Sequence, residues 1–71
     1  MAIVQLSLGH ERRFQTEAEL TELAGFPPMR MNHIETRGTY LLEWRFDSRE
    51  DADMFFANAR NTPGVFSPHI T

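Results

Sequence analysis

Thr39-Tyr40-Leu41-Leu42-Glu43-Trp44-Arg45-Phe46, followed at once by Asp47-Ser48-Arg49-Glu50-Asp51, is the stretch whose reading decides the fold. Tyr40, Leu42, Trp44 and Phe46 stand at every second position, the period of a strand with one buried face. Leu41, Glu43 and Arg45 then fall on the opposite face. Asp47 or Ser48 caps a helix, and the acidic residues of its first turn are favoured there by the helix dipole. Within it Ala52, Phe55, Phe56 and Ala59 recur at i, i+3, i+4 and i+7, a stripe that faces a core. Asn61 ends this helix, Thr62-Pro63-Gly64 turns the chain, and residues 65–70 form a last strand.

Read outward toward the N-terminus, the same plan recurs. Residues 2–8 form a first strand, in which Val4, Leu6 and Leu8 alternate with Ile3, Gln5 and Ser7. Gly9-His10 breaks it. The helix that follows has two readings. Residues 11–25 form one long helix, or Thr16 is an N-cap with Glu19 as its capping-box partner and the helix covers 17–24; the capping box favours the shorter one. Gly25 supplies a left-handed C-terminal residue, and Pro27 and Pro28 cannot continue the helix. Residues 29–36 read as a second strand, and Arg37-Gly38 as a tight hairpin turn.

The order is β-α-β-β-α-β. With right-handed crossovers it predicts an α+β, ferredoxin-like βαββαβ sandwich. Its four-stranded antiparallel sheet has strand order 4-1-3-2, with two helices on one face. Residues 1–71 form one domain. Phe14 or Leu20, Leu23, Phe55 and Phe56 are expected to pack on Val4, Leu6, Leu42, Trp44 and Phe46.

A domain of 71 residues buries only about 60% of its unfolded surface, so its stability is marginal and needs support. The chain has no Cys, which excludes disulfides and fits a cytoplasmic location. Oligomerisation remains, so the expectation is a homodimer or a larger protein partner that covers part of the surface. Residues 1–8 lack the basic and apolar regions of a signal peptide. No apolar run approaches the ~20 residues of a membrane span, so no membrane partner is expected. All seven basic residues are Arg, and the net charge is −3. That balance argues against nucleic-acid binding, which needs a positive footprint. Leu41, Glu43 and Arg45 with Ile3, Gln5 and Ser7 also offer no aromatic platform for stacking bases.

His10, His33 and His69 raise the question of a metal. In strand order 4-1-3-2, His33 and His69 lie on opposite edge strands, roughly 14 Å apart across three strand spacings, too far for one ion. No metal, cofactor or catalytic residue is expected. Ser7, Ser48 and Ser67 lack a nucleophile context, and no Gly-rich phosphate loop is present. Carboxylate pairs such as Glu17 with Glu22 read as solvated helix surface.

Ile34-Glu35-Thr36-Arg37-Gly38-Thr39-Tyr40-Leu41-Leu42, the acidic helix after it, and Pro63-Gly64-Val65 before a polar last strand resemble the ligand-sensing domain of Lrp/AsnC-type regulators. That family is ACT-like and ferredoxin-like. Gly38, Tyr40, Leu41, Leu42, Pro63, Gly64 and Val65 match its run. The chain departs from it in having only Thr39 between the turn Gly and the Tyr-Leu-Leu strand, so the effector-contacting acid of the family's loop has no counterpart. Within residues 1–71 no helix-turn-helix is expected ahead of the domain. The resemblance implies a small-molecule effector, an amino acid or similar metabolite, bound between subunits near Arg37, Gly38 and Tyr40.

Two surfaces are candidate protein interfaces. One is the open face of the sheet, with Ile3, Gln5, Leu41, Glu43 and Arg45. The other is the edge carrying Met29 and Met31, since Met adapts to irregular partners and an unpaired strand edge invites augmentation. The leading expectation is a small non-catalytic protein-binding or regulatory module, an adaptor, chaperone or inhibitor, acting through that face or edge. The alternatives are a stand-alone Lrp/AsnC-like sensor and a dimeric α+β-barrel enzyme with His10, His33 or His69 across its interface.

Overall fold

The computed structural model describes residues 1–9, 11–30 and 39–71. Three full strands form its sheet: β1 (Ala2–Gly9), β3 (Thr39–Phe46) and β4 (Val65–Ile70), with β2 (Met29–Arg30) only two residues long. The helices are α1 (Arg13–Ala24) and α2 (Arg49–Ala59). β1 lies in the middle of the three and pairs antiparallel with β3 on one side and β4 on the other. Among the described residues β2 adds the Met29–Glu43 and Arg30–Leu42 partners at the outer edge of β3.

This corrects the expected four-stranded ferredoxin-like sheet in order 4-1-3-2. Among the described residues the sheet has three full strands with a two-residue pairing beside them, and what stands is a small α+β fold. Met29 and Arg30 follow Pro27 and Pro28 directly. Those prolines provide no donors and hold the backbone off a regular ladder, so pairing starts only at Met29. The expected remainder of the second strand, including Met31, His33 and Ile34, and the Arg37-Gly38 turn lie outside the described residues.

The core sits between one face of the sheet and both helices. Val4, Leu6, Leu8, Leu42, Trp44 and Phe46 meet Leu20 of α1 and Ala52, Phe55 and Ala59 of α2. Register explains this set, because Val4 opposes Trp44, Leu6 opposes Leu42 and Ala2 opposes Phe46. The aromatic rings lock together, with Trp44 and Phe55 centroids 5.0 Å apart and Phe46 and Phe55 5.2 Å apart. The Trp44 indole donates to the Phe26 carbonyl at 3.1 Å, which pins the segment leaving α1.

The two helices are anchored unequally. α2 has the cap its sequence promises, with the Ser48 hydroxyl accepting from the Asp51 N–H. α1 begins at Arg13 and has no side-chain cap, within two residues of the longer reading and well ahead of the shorter, capped one. Thr16 is inside the helix and buried, where its hydroxyl donates to the Pro63 carbonyl at 3.4 Å. A hydroxyl held against the corner before β4 is not free to cap, and the Thr16–Glu19 capping box does not form. Of the apolar residues expected to pack from α1, only Leu20 is buried; Phe14 and Leu23 are exposed. Phe56 lies at the rim of the core, partly buried.

Candidate functional site

The sheet face away from the helices carries the polar residues of all three strands. Gln5 opposes Glu43 across the β1–β3 pair and His69 across the β1–β4 pair, and Met29 opposes Glu43 from β2. One row therefore crosses the sheet as Met29, Glu43, Gln5 and His69. Ile3 opposes Arg45, Ser7 opposes Leu41, and Ser7 also opposes Phe66.

The middle of this row is a hydrogen-bonded chain. The Arg45 Nε–H donates to Glu43 Oε2 in a close ion pair. The Gln5 amide donates from Nε2 to Glu43 Oε1 at 3.1 Å. His69 Nε2 and Gln5 Oε1 are 2.8 Å apart. Direction follows from chemistry. An ionised carboxylate only accepts, so Gln5 turns its NH2 toward Glu43. Its carbonyl oxygen then faces His69 and can only accept, so His69 carries its proton on Nε2.

Glu43 is the unexpected member. It was named for the open face as an interface residue, yet only 3% of its surface is exposed in the isolated chain. Burial alone would raise its pKa, but the Arg45 hydrogen bond, then that of Gln5, and the Arg45 charge hold its carboxyl below the usual glutamate range. A carboxylate already engaged by two donors is a poor general base. The network orders side chains and presents few free polar groups.

Apolar residues flank it. Ile3 and Leu41 are half-buried, Met29 is exposed, and the Phe66 ring lies over Gly9, where an added Cβ would come within 3.0 Å of it. Phe66 and His69 share this face because of a bulge. The register shifts between Gln5 and Ser7, and Ser67 has φ of 49°. Simple alternation would group Phe66 with Pro68 and Ile70, so the period of 2 conceals this pair. The positive φ at Ser67 has no signature in the residue type.

Of the interface residues named from sequence, Ile3, Gln5, Leu41, Glu43 and Arg45 come together here, and Met29 joins their edge. Met31 lies outside the described residues. Of the effector residues, Arg37 and Gly38 lie outside them too. Tyr40 is described, and the Arg13 guanidinium stacks over its ring, 4.0 Å from the centroid. Of the three histidines only His69 is described. Among the described residues, no group of three or more His, Asp or Glu is placed to hold a metal ion, and no helix is long and apolar enough to cross a membrane. No protein-family model, curated protein or solved structure matches the chain.

Proposed function

We propose that this chain is a small non-catalytic protein-binding module that docks through its open sheet face onto a larger protein or onto itself. The observation that carries this reading is the construction of that face. Its charged groups are satisfied internally by the Arg45–Glu43–Gln5–His69 chain, and Ile3, Leu41, Met29 and Phe66 surround it without cover from either helix. Glu43 and Gln5, already paired within the face, lose little more on desolvation, and the apolar flanks gain from cover. A domain of this size also benefits from an outside contact. The outer edge of β4 is a poorer docking site. Ile3 and Thr71 exchange both backbone hydrogen bonds, so Pro68 stands at an outward position, and it has no N–H to offer. Ser67 kinks the same edge.

The test uses Leu41→Glu and Phe66→Glu, with Arg49→Ala as a control on the opposite side. Tagged wild-type and control protein are expected to retain the same specific partner, or the same self-association, and both face variants to lose it while keeping their melting transition. Retention by the face variants would sink the reading.

A further inference from the structure

Two surfaces at opposite ends of α1 carry opposite charge, each beside exposed apolar side chains. At its C-terminal end an open groove of about 420 Å³ runs between α1 and α2, a size typical of binding clefts. Leu23, Phe26, Met54 and Phe55 supply its apolar wall, and the exposed Asp47 and Asp51 stand beside them. Leu23 is 51% exposed and Met54 62%. Glu19 and Glu22 border the adjoining hollow, which shares Leu23. None of these four carboxylates forms a salt bridge among the described residues. Arg45 also lines the groove but is engaged with Glu43. α1 has no basic residue in its last turn, so the carbonyls at that end add to the negative field.

At the N-terminal end the signs reverse. Phe14 is 74% exposed, and Arg12 and Arg13 precede it. The Arg13 guanidinium lies 4.2 Å from the Phe14 ring centroid and 4.0 Å from that of Tyr40, which props the ring and places positive charge beside it. Glu11 offsets part of this charge, but α1 has no acidic residue in its first turn, so the positive end of its dipole is uncompensated. The chain thus displays a cationic aromatic knob and an acid-rimmed groove with an apolar wall.

We propose that this chain self-associates head to tail, with Phe14 of one copy seated between Leu23 and Met54 of the next and Arg12 facing Asp47 and Asp51. The geometry favours a heterologous contact over a two-fold one. Phe14 and Leu23 are nine positions apart, which at about 100° per residue places them half a turn apart on opposite sides of the helix. Two copies cannot seat both knobs reciprocally along α1, so the contact extends as a chain or closes as a ring. It also aligns successive helix dipoles. A single anchor in a small groove falls below standard interface size, so the association is weak and depends on concentration.

The test is solution mass by light scattering from micromolar to millimolar protein, with circular dichroism as the folding control. The wild-type mass is expected to rise with concentration. Phe14→Glu alone, and Leu23→Glu with Met54→Glu, are expected to remain monomeric. Mixed, these two proteins should form a one-to-one complex and stop there, because each retains one intact surface. Phe14→Ala should weaken self-association about tenfold or more. If a variant fails to fold, Arg12→Glu and Asp47→Arg provide the same test by charge exchange, each weaker alone and restored on mixing. A wild type that stays monomeric, variants that still associate, or mixtures that do not combine would each overturn the proposal. Loss of self-association in Leu41→Glu would also overturn it, and would leave the sheet-face reading standing.

Discussion

The two faces of the β1–β3 pair come from the same two strands and solve opposite problems. On one face, Val4, Leu6, Leu42 and Trp44 pack under α1 and α2 and contain almost nothing that needs a hydrogen bond. The Trp44 indole is the exception and finds the Phe26 carbonyl. On the other face, Gln5, Glu43 and Arg45 alternate with those residues and satisfy one another. The first face is held by area removed from water, which is non-directional and needs only that the apolar set stay on the covered side. The second is held by donors and acceptors that match only in one arrangement. Burial is equally deep at Trp44 and Glu43, yet losing each one has a different kind of consequence.

The largest effect should come from the apolar face. Trp44→Ala is expected to cost about 3–5 kcal/mol. At roughly 0.05–0.15 kcal/mol per residue a chain of this length has about 4–11 kcal/mol in all, and a domain this small falls toward the lower end. Urea denaturation should find the variant largely unfolded, whereas Trp44→Phe should still fold. A fully cooperative Trp44→Ala protein would mean that the two faces are less unequal than their packing implies.

Glu43→Gln probes the other face and adds a pH signature. Its expected cost is about 1–3 kcal/mol at neutral pH, from charge-assisted hydrogen bonds lost. Because the folded pKa is depressed, the unfolded chain takes up the proton first. The contribution of Glu43 is therefore complete above the unfolded value, near 4.3, and fades as pH falls through the folded one. Wild type and variant should converge in stability as the pH drops below about 4. Urea midpoints at a series of pH values measure this, and a gap independent of pH would remove the ionised network from the account.

Two glycines sharpen the contrast between the helix anchors. Gly64 has φ of +91°, and a Cβ there would meet the Thr16 hydroxyl at 3.0 Å. Gly25 has φ of +88° with open space around it. Gly25→Ala should cost about 1–2 kcal/mol from backbone strain alone. Gly64→Ala should cost more, and Thr16→Ala in the same chain should recover the excess. Additive effects in that double-mutant cycle would separate α1 from the Pro63-Gly64 corner. The smallest change is Ser48→Ala, expected to lower stability by about 1 kcal/mol through loss of the α2 cap. Arg12→Ala, at the uncapped start of α1, should change stability far less.

The region from Thr39 onward was legible because its signals are local. Alternation in Tyr40 to Phe46, the Ser48 cap, the Ala52–Phe55–Ala59 stripe and the Pro63-Gly64 corner each follow from where neighbouring residues must point, and β3, α2 and β4 appear with those residues. The first half was less legible for a physical reason. α1 is set by contacts distant in sequence. Thr16 is drawn inside by the Pro63 carbonyl, 47 positions away, and the helix begins without the cap its sequence offers.

The candidate site divides in the same way. The residues of its face on β1 and β3 could be named from the period of 2, since side-chain direction on a strand depends only on position. The period could not place Phe66 and His69 beside them, because the bulge at Ser67 shifts their parity. Nor could it bury Glu43, whose partner Gln5 lies 38 positions away on another strand. By itself, then, the sequence determined which residues share a strand face, where α2 begins, and which apolar groups must leave water. Only the tertiary structure decided that Met29 and Arg30 pair with the outer edge of β3, that Phe14 and Leu23 stay outside, and that Glu43 is buried against Gln5 and Arg45. Local periodicity reports the direction of a side chain, whereas burial and partnership depend on what the rest of the chain brings opposite it.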